Sequence, residues 1–338
     1  MKLSIIVPVY NVERFLAECI DCLVDQDIDF ADYEIILIND GSTDSSLIIA
    51  NEYMTRFPNI VVYTNENNGQ SYTRNYGISK SKGEFIYFID SDDYIEHNSL
   101  GKLLFLMEKY NLDLCGFGLK RVYERNLSHT LDWSCIDYGT PKILTGVQTI
   151  SEHLYNNGVW WYILRKKVLT DNAIFFENFR TMEDGIFTTE LLIMCQKVVI
   201  LPLQLYYYFY NPNSTVTTAN VHRRVKIIED MHFAVIKFEY LIKLAINKGS
   251  DSYALKRIKI RQQSYVYFLL VRELKNKTPY KKIKERLLSI QKNTSAYPLV
   301  FFNEEYHSFK YRIFTIILNK SFLIRMICLL NRIFNVIK

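Results

Sequence analysis

An α/β fold with a mostly parallel central sheet, followed by a basic helical region, is what the sequence predicts. Three observations predict it. Over the first 90 residues, four short apolar runs rich in β-branched and aromatic residues alternate with three helix-length stretches on short connections. Each run ends in a polar loop, and open α/β sheets bind ligands outside the carboxyl ends of their strands. The charge is also split: residues 222–338 carry 24 Lys and Arg against 8 Asp and Glu, a net +16, whereas residues 1–221 are net −11.

The 338 residues, 49% of them hydrophobic, suffice for a sizeable core and two domains. We expect a domain over 1–220, with halves 1–110 and 111–220, and a helical region over 221–338. The cysteines at 19, 22, 115, 135, 195 and 328 form no zinc pattern, since only Cys19 and Cys22 lie close together. Scattered thiols fit a reducing cytoplasm. The apolar start, Leu3 to Tyr10, is too short for a signal peptide and is interrupted by Pro8.

In order, Leu3 to Val9 reads as a strand, and Asn11 as the cap of a helix running to about Asp25. Tyr33 to Ile38 is a second buried strand, ending in Asn39-Asp40-Gly41-Ser42. Thr43 or Asp44 caps a helix that Pro58 stops after Arg56. Ile60 to Tyr63 is a third strand, Asn65 to Gly69 a polar loop, and Gln70 to Lys80 a helix. Phe85 to Ile89 is a fourth strand, and it leads into Asp90-Ser91-Asp92-Asp93. Three carboxylates within four residues repel one another unless something cationic joins them. Mg²⁺ or Mn²⁺, which prefers oxygen ligands and often holds phosphate as well, is the natural partner. The alternative is a solvated turn that caps the next helix. Neither G-x-G-x-x-G nor G-x-x-x-x-G-K-[ST] follows the first strand, which disfavours dinucleotide-binding and P-loop sites.

These loops carry a family resemblance. Ser4-Ile5-Ile6-Val7-Pro8-Val9-Tyr10-Asn11 resembles the opening of family 2 glycosyltransferases, which have the GT-A fold. Asn39 to Asp44 is similar to their second motif, Asn68-Gly69 through Arg74-Asn75 and Gly77 to their third, and Asp90-Ser91-Asp92-Asp93 to their D-x-D element. Thr73 stands where the family commonly has Ala. The resemblance is strong over about residues 1–110 and fades beyond 220. It implies that Asp40 accepts from the nucleotide base, that Pro8 and Tyr10 line the base pocket with Glu13 on the ribose side, and that Arg74 meets base or diphosphate. Asp90 would face ribose and metal, and Asp92 would be the direct ligand of Mn²⁺ or Mg²⁺. An ordinary surface ion pair is the alternative for Arg74, and a turn residue before Gly41 the alternative for Asp40.

Further along, Leu100 to Tyr110 reads as a helix, Asp113 to Leu119 as a strand, residues 120–145 as a connecting loop and Ile150 to Tyr155 as helical. Trp160 and Trp161 would offer a sugar-stacking platform for the acceptor, or else pack against the sheet. Thr181-Met182-Glu183-Asp184 precedes a helical run, and its spacing fits a capping box. It also resembles the family's E-D motif, which implies Asp184 as the general base of an inverting transfer, with Glu183 beside it at the acceptor. Leu205 to Tyr210 reads as a strand, and Ser214 to Thr217 resembles the family's Ser-x-Thr loop. The family often has Arg at the end of this strand, where Asn211 stands. His222 is a candidate extra contact to metal or phosphate, with a structural histidine as the alternative.

Val225 to Lys248, Ala254 to Lys275 and Lys281 to Lys292 read as amphipathic helices. In Tyr311 to Lys338 the longest uncharged run, Ile313 to Asn319, has 7 residues, far below the roughly 18–20 that span a bilayer. An interfacial helix on anionic lipid is expected there, with packing on the chain's own core or on a homodimer partner as the alternative. The implied protein is an inverting glycosyltransferase of capsule, O-antigen or exopolysaccharide type. It would use a UDP-sugar and a glycan or polyprenyl-linked acceptor, peripheral to the inner face of the cytoplasmic membrane. A nucleotidyltransferase lacks its expected Gly-rich, basic loop here, and a decayed scaffold would not keep Asp40, Asp90, Asp92 and Asp184. Nucleic acid is not expected, because the basic tail is interleaved with aliphatics rather than exposed aromatics.

Overall fold

The computed structural model describes residues 1–124, 140–178, 181–210 and 221–334, with the side chains of residues 221, 222, 303 and 332–334 outside that description. It divides into two compact units. One gathers Met1–Thr149, Tyr155–Arg180 and Glu190–Asn213. The other gathers Ile150–Leu154, Thr181–Thr189 and Ser214–Lys338.

The first unit is built on an eight-stranded sheet. Strands β1 (Leu3–Val9), β2 (Tyr33–Asp40), β3 (Ile60–Asn65) and β4 (Phe85–Phe88) alternate with helices α1 (Leu16–Val24), α2 (Ser46–Arg56) and α3 (Gln70–Lys80). There follow in chain order β5 (Tyr94–Ile95), α4 (Leu100–Lys109), β6 (Leu114–Val122), α5 (Gly146–Glu152), β7 (Tyr162–Arg165), α6 (Lys166–Asn172), α7 (Glu183–Met194) and β8 (Val198–Phe209), of which α5 from Ile150 and α7 up to Thr189 belong to the second unit. The strand order is β3-β2-β1-β4-β7-β6-β8-β5. Strands β1 to β4 pair in parallel, with Val9 opposite Asn39 and Asp40 opposite Asn65. This register brings three strand ends to one edge. Strand β7 turns antiparallel against both β4 and β6.

The apolar runs become strands buried on both faces: Ile5, Ile6, Val7, Ile35 to Ile38 and Phe85 to Phe88 are all in the core. Each such side chain contributes roughly 1.5–3 kcal/mol. Gly77 lets α3 close onto the sheet, for a Cβ there would sit 2.5 Å from Ile6 Cγ2. At the end of β1 and β2 away from the site, Glu34 is buried and accepts from the Ser4 hydroxyl at 2.7 Å and the Lys82 N–H at 2.6 Å. Ser4 Oγ in turn accepts from the Gly83 N–H at 2.8 Å. These bonds satisfy a buried carboxylate that would otherwise be costly.

Two sequence expectations are corrected. Asn11 does not cap α1, which starts at Leu16. Asn11 takes φ +52° and turns its side chain to the loop after β2 instead, a conformation Asn tolerates. The expected single C-terminal helix is two.

The second unit is helical, with α8 (Val221–Asn247), α9 (Ser252–Lys275), α10 (Tyr280–Asn293), α11 (Phe309–Leu318) and α12 (Ser321–Phe334). Buried polar groups set how these pack. Gln262 Nε2 donates to the Val235 carbonyl at 2.9 Å, Arg286 Nε to Glu273 Oε1 at 2.8 Å, and Asn331 Nδ2 to the Leu274 carbonyl at 2.7 Å. The break between α11 and α12 has a physical cause. Asn319 clamps the Leu299 backbone, accepting its N–H at 2.8 Å and donating to its carbonyl at 3.0 Å. The Tyr297 hydroxyl caps the Leu318 carbonyl at 2.8 Å. The helix end is thus satisfied by side chains, and the chain turns by 102°. No single described helix is long and apolar enough to cross a membrane; α11 and α12 pass that test only as a bent pair.

Candidate functional site

The loops after β1 and β2 are sewn together. Asn11 Oδ1 accepts the Thr43 N–H at 2.8 Å, and the Asn11 and Val12 N–H groups donate to Ser42 Oγ and Ser46 Oγ. Glu13 exchanges bonds with the Asp44–Ser45 turn. The Glu13 N–H donates to Asp44 Oδ2 at 3.0 Å, and the Ser45 N–H to Glu13 Oε2 at 2.9 Å. Against its desolvation, the Ser46 hydroxyl and the N–H groups of Glu13 and Ser46 hold the Asp44 carboxyl below its ordinary range. At about 0.5–1.5 kcal/mol net for each such bond, the edge is rigid before any ligand arrives. Glu13, expected on the ribose side, has a structural use at the start of α2. Pro8 is half-buried and Tyr10 exposed at this edge.

Asp40, buried, accepts the Asn68 N–H at 2.9 Å and the Gly69 N–H at 2.8 Å, one on each oxygen. It thereby holds the loop between β3 and α3. Gly69, at φ +87°, supplies the left-handed turn that an L side chain would strain. Each carboxylate oxygen keeps a second lone pair, so this use is compatible with accepting from a base.

Arg74 differs from expectation. It is 1% exposed, and its Nη2 lies 2.9 Å from Asp90 Oδ1, with the guanidinium 5.3 Å from the Phe176 ring. A guanidinium this deep needs a charged partner, and Asp90 is that partner. It is neither the surface ion pair nor an outward-reaching fork. Gln70 Nε2 donates to the same Asp90 oxygen at 3.0 Å. Phe176 is itself placed by Asn75, which donates to its carbonyl at 2.8 Å and accepts its N–H at 2.9 Å.

The three acids separate by environment. Asp93 is buried, and its carboxylate accepts the Tyr206 hydroxyl and, at 2.7 Å, the Phe209 N–H. Burial first, then the charges of Asp92 and Asp90, hold its carboxyl well above the usual range. It braces the turn from behind. Asp90 and Asp92 are half-buried and reach the surface. Two adjacent hard-oxygen donors fit a divalent cation that draws its remaining ligands from phosphate and water. Among the described residues no cluster of three His, Cys, Asp or Glu side chains forms a metal cage. The side chain of His222 lies outside the described residues, as do residues 211–217.

Trp160 and Trp161 are 9% and 4% exposed, which corrects the platform expectation. Trp160 stacks on Tyr206 at 4.5 Å, and Trp161 meets Tyr162 edge-on at 4.8 Å. A sugar face needs an uncovered ring, and these rings back the sheet instead. Through Tyr206, Trp160 supports Asp93 and hence the acidic turn.

In the second unit, Thr181 sends both its N–H and its hydroxyl, each at 2.9 Å, to Oδ2 of Asp230 on α8, which is 1% exposed. Met182 follows at φ +71°, and Glu183, buried, and Asp184, half-buried, open α7. A pinned residue and a left-handed one thus set the direction in which the acid pair leaves. Gln70, Phe176, Tyr206 and Asp230 were missed from sequence because their partners are distant along the chain, 113 residues for Tyr206 and Asp93.

Residues 4–169 match the family described as Glycosyl transferase family 2. Over 215 residues the chain is 35% identical to EpsJ of Bacillus subtilis strain 168, an uncharacterized glycosyltransferase, covering 62% of each chain. Over 216 residues it is 32% identical to a poly(ribitol-phosphate) beta-glucosyltransferase of Bacillus spizizenii, covering 62% of this chain and 32% of that one. The matched stretch thus spans less than two thirds of either relative. The crystal structure of Staphylococcus aureus TarS 1–349 in complex with UDP-GlcNAc superposes with a TM-score of 0.62 at 20% identity, over 98% of this chain and 92% of that one. At that identity the likeness speaks for the fold, a GT-A sheet with a helical C-terminal region.

Proposed function

Because the chain carries a family 2 glycosyltransferase domain, we propose that it transfers a sugar, with inversion, from a UDP-sugar to a glycan or lipid-linked glycan of a cell-surface polymer. The single observation that carries this reading is the sheet edge itself. Asp40 holds the Asn68–Gly69 loop, and buried Arg74 pairs with Asp90, which is half-buried like Asp92 two residues on. Such an edge takes a flat base at the loops and a diphosphate at the acids.

The roles follow from each group's surroundings. Pro8 and Tyr10 line the base, and Asp40 accepts from its ring N–H with a remaining lone pair. Arg74 works indirectly. By donating to Asp90 Oδ1 it holds that carboxylate in place, and the other oxygen would serve ribose or metal. Asp92, with Asp90, would hold Mn²⁺ or Mg²⁺, and a bound cation would supply neutralisation of the departing diphosphate. Asp184 serves as general base. The acceptor oxygen forms its bond to the anomeric carbon, the bond to the diphosphate breaks, UDP leaves, and Asp184 takes the acceptor's proton. TarS with UDP-GlcNAc supports UDP as the nucleotide, and the poly(ribitol-phosphate) enzyme supports a polymeric acceptor.

The test is calorimetry of the full chain against UDP, GDP, CDP and dTDP, with and without Mn²⁺, repeated on Asp92→Ala and Asp184→Asn. We expect metal-dependent UDP binding, lost in Asp92→Ala and retained in Asp184→Asn, with sugar transfer lost in both. A well-folded protein that binds none of the four nucleotides overturns the reading.

A further inference from the structure

Helices on a protein surface normally bury their apolar stripe and present polar residues outward. The pair α11–α12 does the reverse over part of its surface. On α11, Phe309, Ile313 and Ile316 recur at i, i+4 and i+7 and are exposed, Phe309 at 78% and Ile316 at 62%. On α12, Phe322, Met326 and Leu329 repeat that spacing, Phe322 at 67% and Leu329 at 54%. Each helix still buries a separate face, through Thr315 and Leu318 on α11 and Ile324, Cys328 and Asn331 on α12. The outward stripes are therefore in excess of what packing uses, and an apolar patch of this kind marks an interaction surface.

The charges beside the stripes select the partner. Lys310, Arg312, Lys320 and Arg325 are all exposed. Residues 309–338 contain six Lys and Arg and no Asp or Glu. A protein partner or a second copy would have to accept both a broad apolar face and uncompensated positive charge. Two copies of this face would bring like charges together, which is repulsive. An anionic bilayer surface offers acyl chains to the stripe and negative headgroups to the rim. Neither helix is long enough to cross, and the bend separates two short amphipathic helices suited to lying in an interface.

We propose that α11 and α12 are an interfacial anchor for anionic lipid. Phe309, Ile313, Ile316, Phe322, Met326 and Leu329 enter the acyl boundary, and Lys310, Arg312, Lys320 and Arg325 meet headgroup phosphates. This does not rest on the transferase reading, and nucleotide binding measured on the same preparations keeps the two separate.

The experiment is co-flotation of the full chain with vesicles of phosphatidylcholine alone or with one third phosphatidylglycerol, at low and high salt. Sedimentation velocity runs alongside. The wild-type chain should float with the anionic vesicles, weakly with the neutral ones, and less at high salt. The pair Phe322→Asp with Met326→Asp should reduce partition at least about tenfold. Arg312→Glu with Arg325→Glu should reduce it on anionic vesicles alone. Ile48→Asp, which alters an exposed apolar residue on α2, should change nothing. Thermal melting and UDP titration report whether each variant is folded. Absence of flotation with anionic vesicles, or flotation unchanged by folded Phe322→Asp/Met326→Asp, overturns the proposal. So does a wild-type dimer that this pair converts to monomer without altering flotation, because the face would then belong to a second copy.

Discussion

The carboxyl edge of the parallel strands and the pair α11–α12 both meet solvent, and they meet it with opposite chemistry. At the edge, polar side chains are spent first on the protein. Asn11, Glu13, Asp40 and Asp44 bind loop backbone, and Arg74 binds Asp90. What reaches the surface is a small remainder of acids in fixed positions. Between and on α11 and α12 the polar side chains Asn319 and Asn331 are spent on packing, and the exposed stripes and the charges beside them are apolar and basic. The first arrangement suits a small, highly charged ligand held in one pose. The second suits a broad surface that needs no single pose. What a region does with its polar groups before a ligand arrives is thus a guide to the ligand's kind.

This contrast can be broken by experiment. The largest effect is expected at Asp92. If Asp92 is a ligand-facing acid, Asp92→Ala lowers transfer at least about 100-fold, roughly 2.7 kcal/mol of barrier, with the melting temperature unchanged. Its neighbour Asp93 should behave in the opposite sense. Asp93→Ala strands the Tyr206 hydroxyl and the Phe209 N–H and should cost about 2–4 kcal/mol in denaturant unfolding. A stable Asp93→Ala protein would mean that the turn is not braced from behind. Next, Asp40→Ala removes the acceptor of two loop N–H groups and should cost about 1–3 kcal/mol of stability along with weaker UDP binding. Weaker UDP binding at wild-type stability would show that Asp40 serves only the base.

Smaller effects are expected in the second unit. Asp230→Ala should lower kcat by about tenfold, some 1.4 kcal/mol, with little change in the donor KM, while Thr181→Ser keeps both bonds and near wild-type turnover. Equal losses in the two variants would remove Asp230 from the positioning of the acid pair. The smallest is a pH effect. Burial first, and then Arg286, hold His232 below the ordinary histidine value of 6.5, opposed by Glu273. The unfolded chain therefore binds this proton more readily than the folded one, so stability present above the ordinary value is lost as pH falls toward the folded value. Melting of the wild-type chain should decline through that window by more than melting of His232→Gln.

The fold was legible because its signals are local. Residues 3–9, 33–38, 60–63 and 85–89 carry uninterrupted β-branched and aromatic runs, and short connections between them leave little choice but a parallel sheet. The motifs were legible for the same reason, each lying on one loop. Which group each site side chain binds was not. Arg74 looks like a free cation in sequence, and only the placement of Phe176 and Asp90 around it shows it buried. Trp160 looks like a platform until Tyr206, 46 residues on, covers it. The 102° turn at Asn319 depends on Leu299 and Tyr297, which no periodicity in residues 311–338 reveals.

By itself, then, the sequence determined the alternation of strands and helices, the acids at the strand ends and the basic, acid-free C-terminal stretch, because hydrophobic period and charge are properties of neighbouring residues. Only the tertiary structure decided that Asp90 and Asp92 reach the surface while Asp93 does not, that Arg74 is buried against Asp90, that Asp230 holds Thr181 ahead of α7 and that two apolar stripes stay uncovered. Those outcomes depend on burial and on partners far apart along the chain, which folding alone brings together.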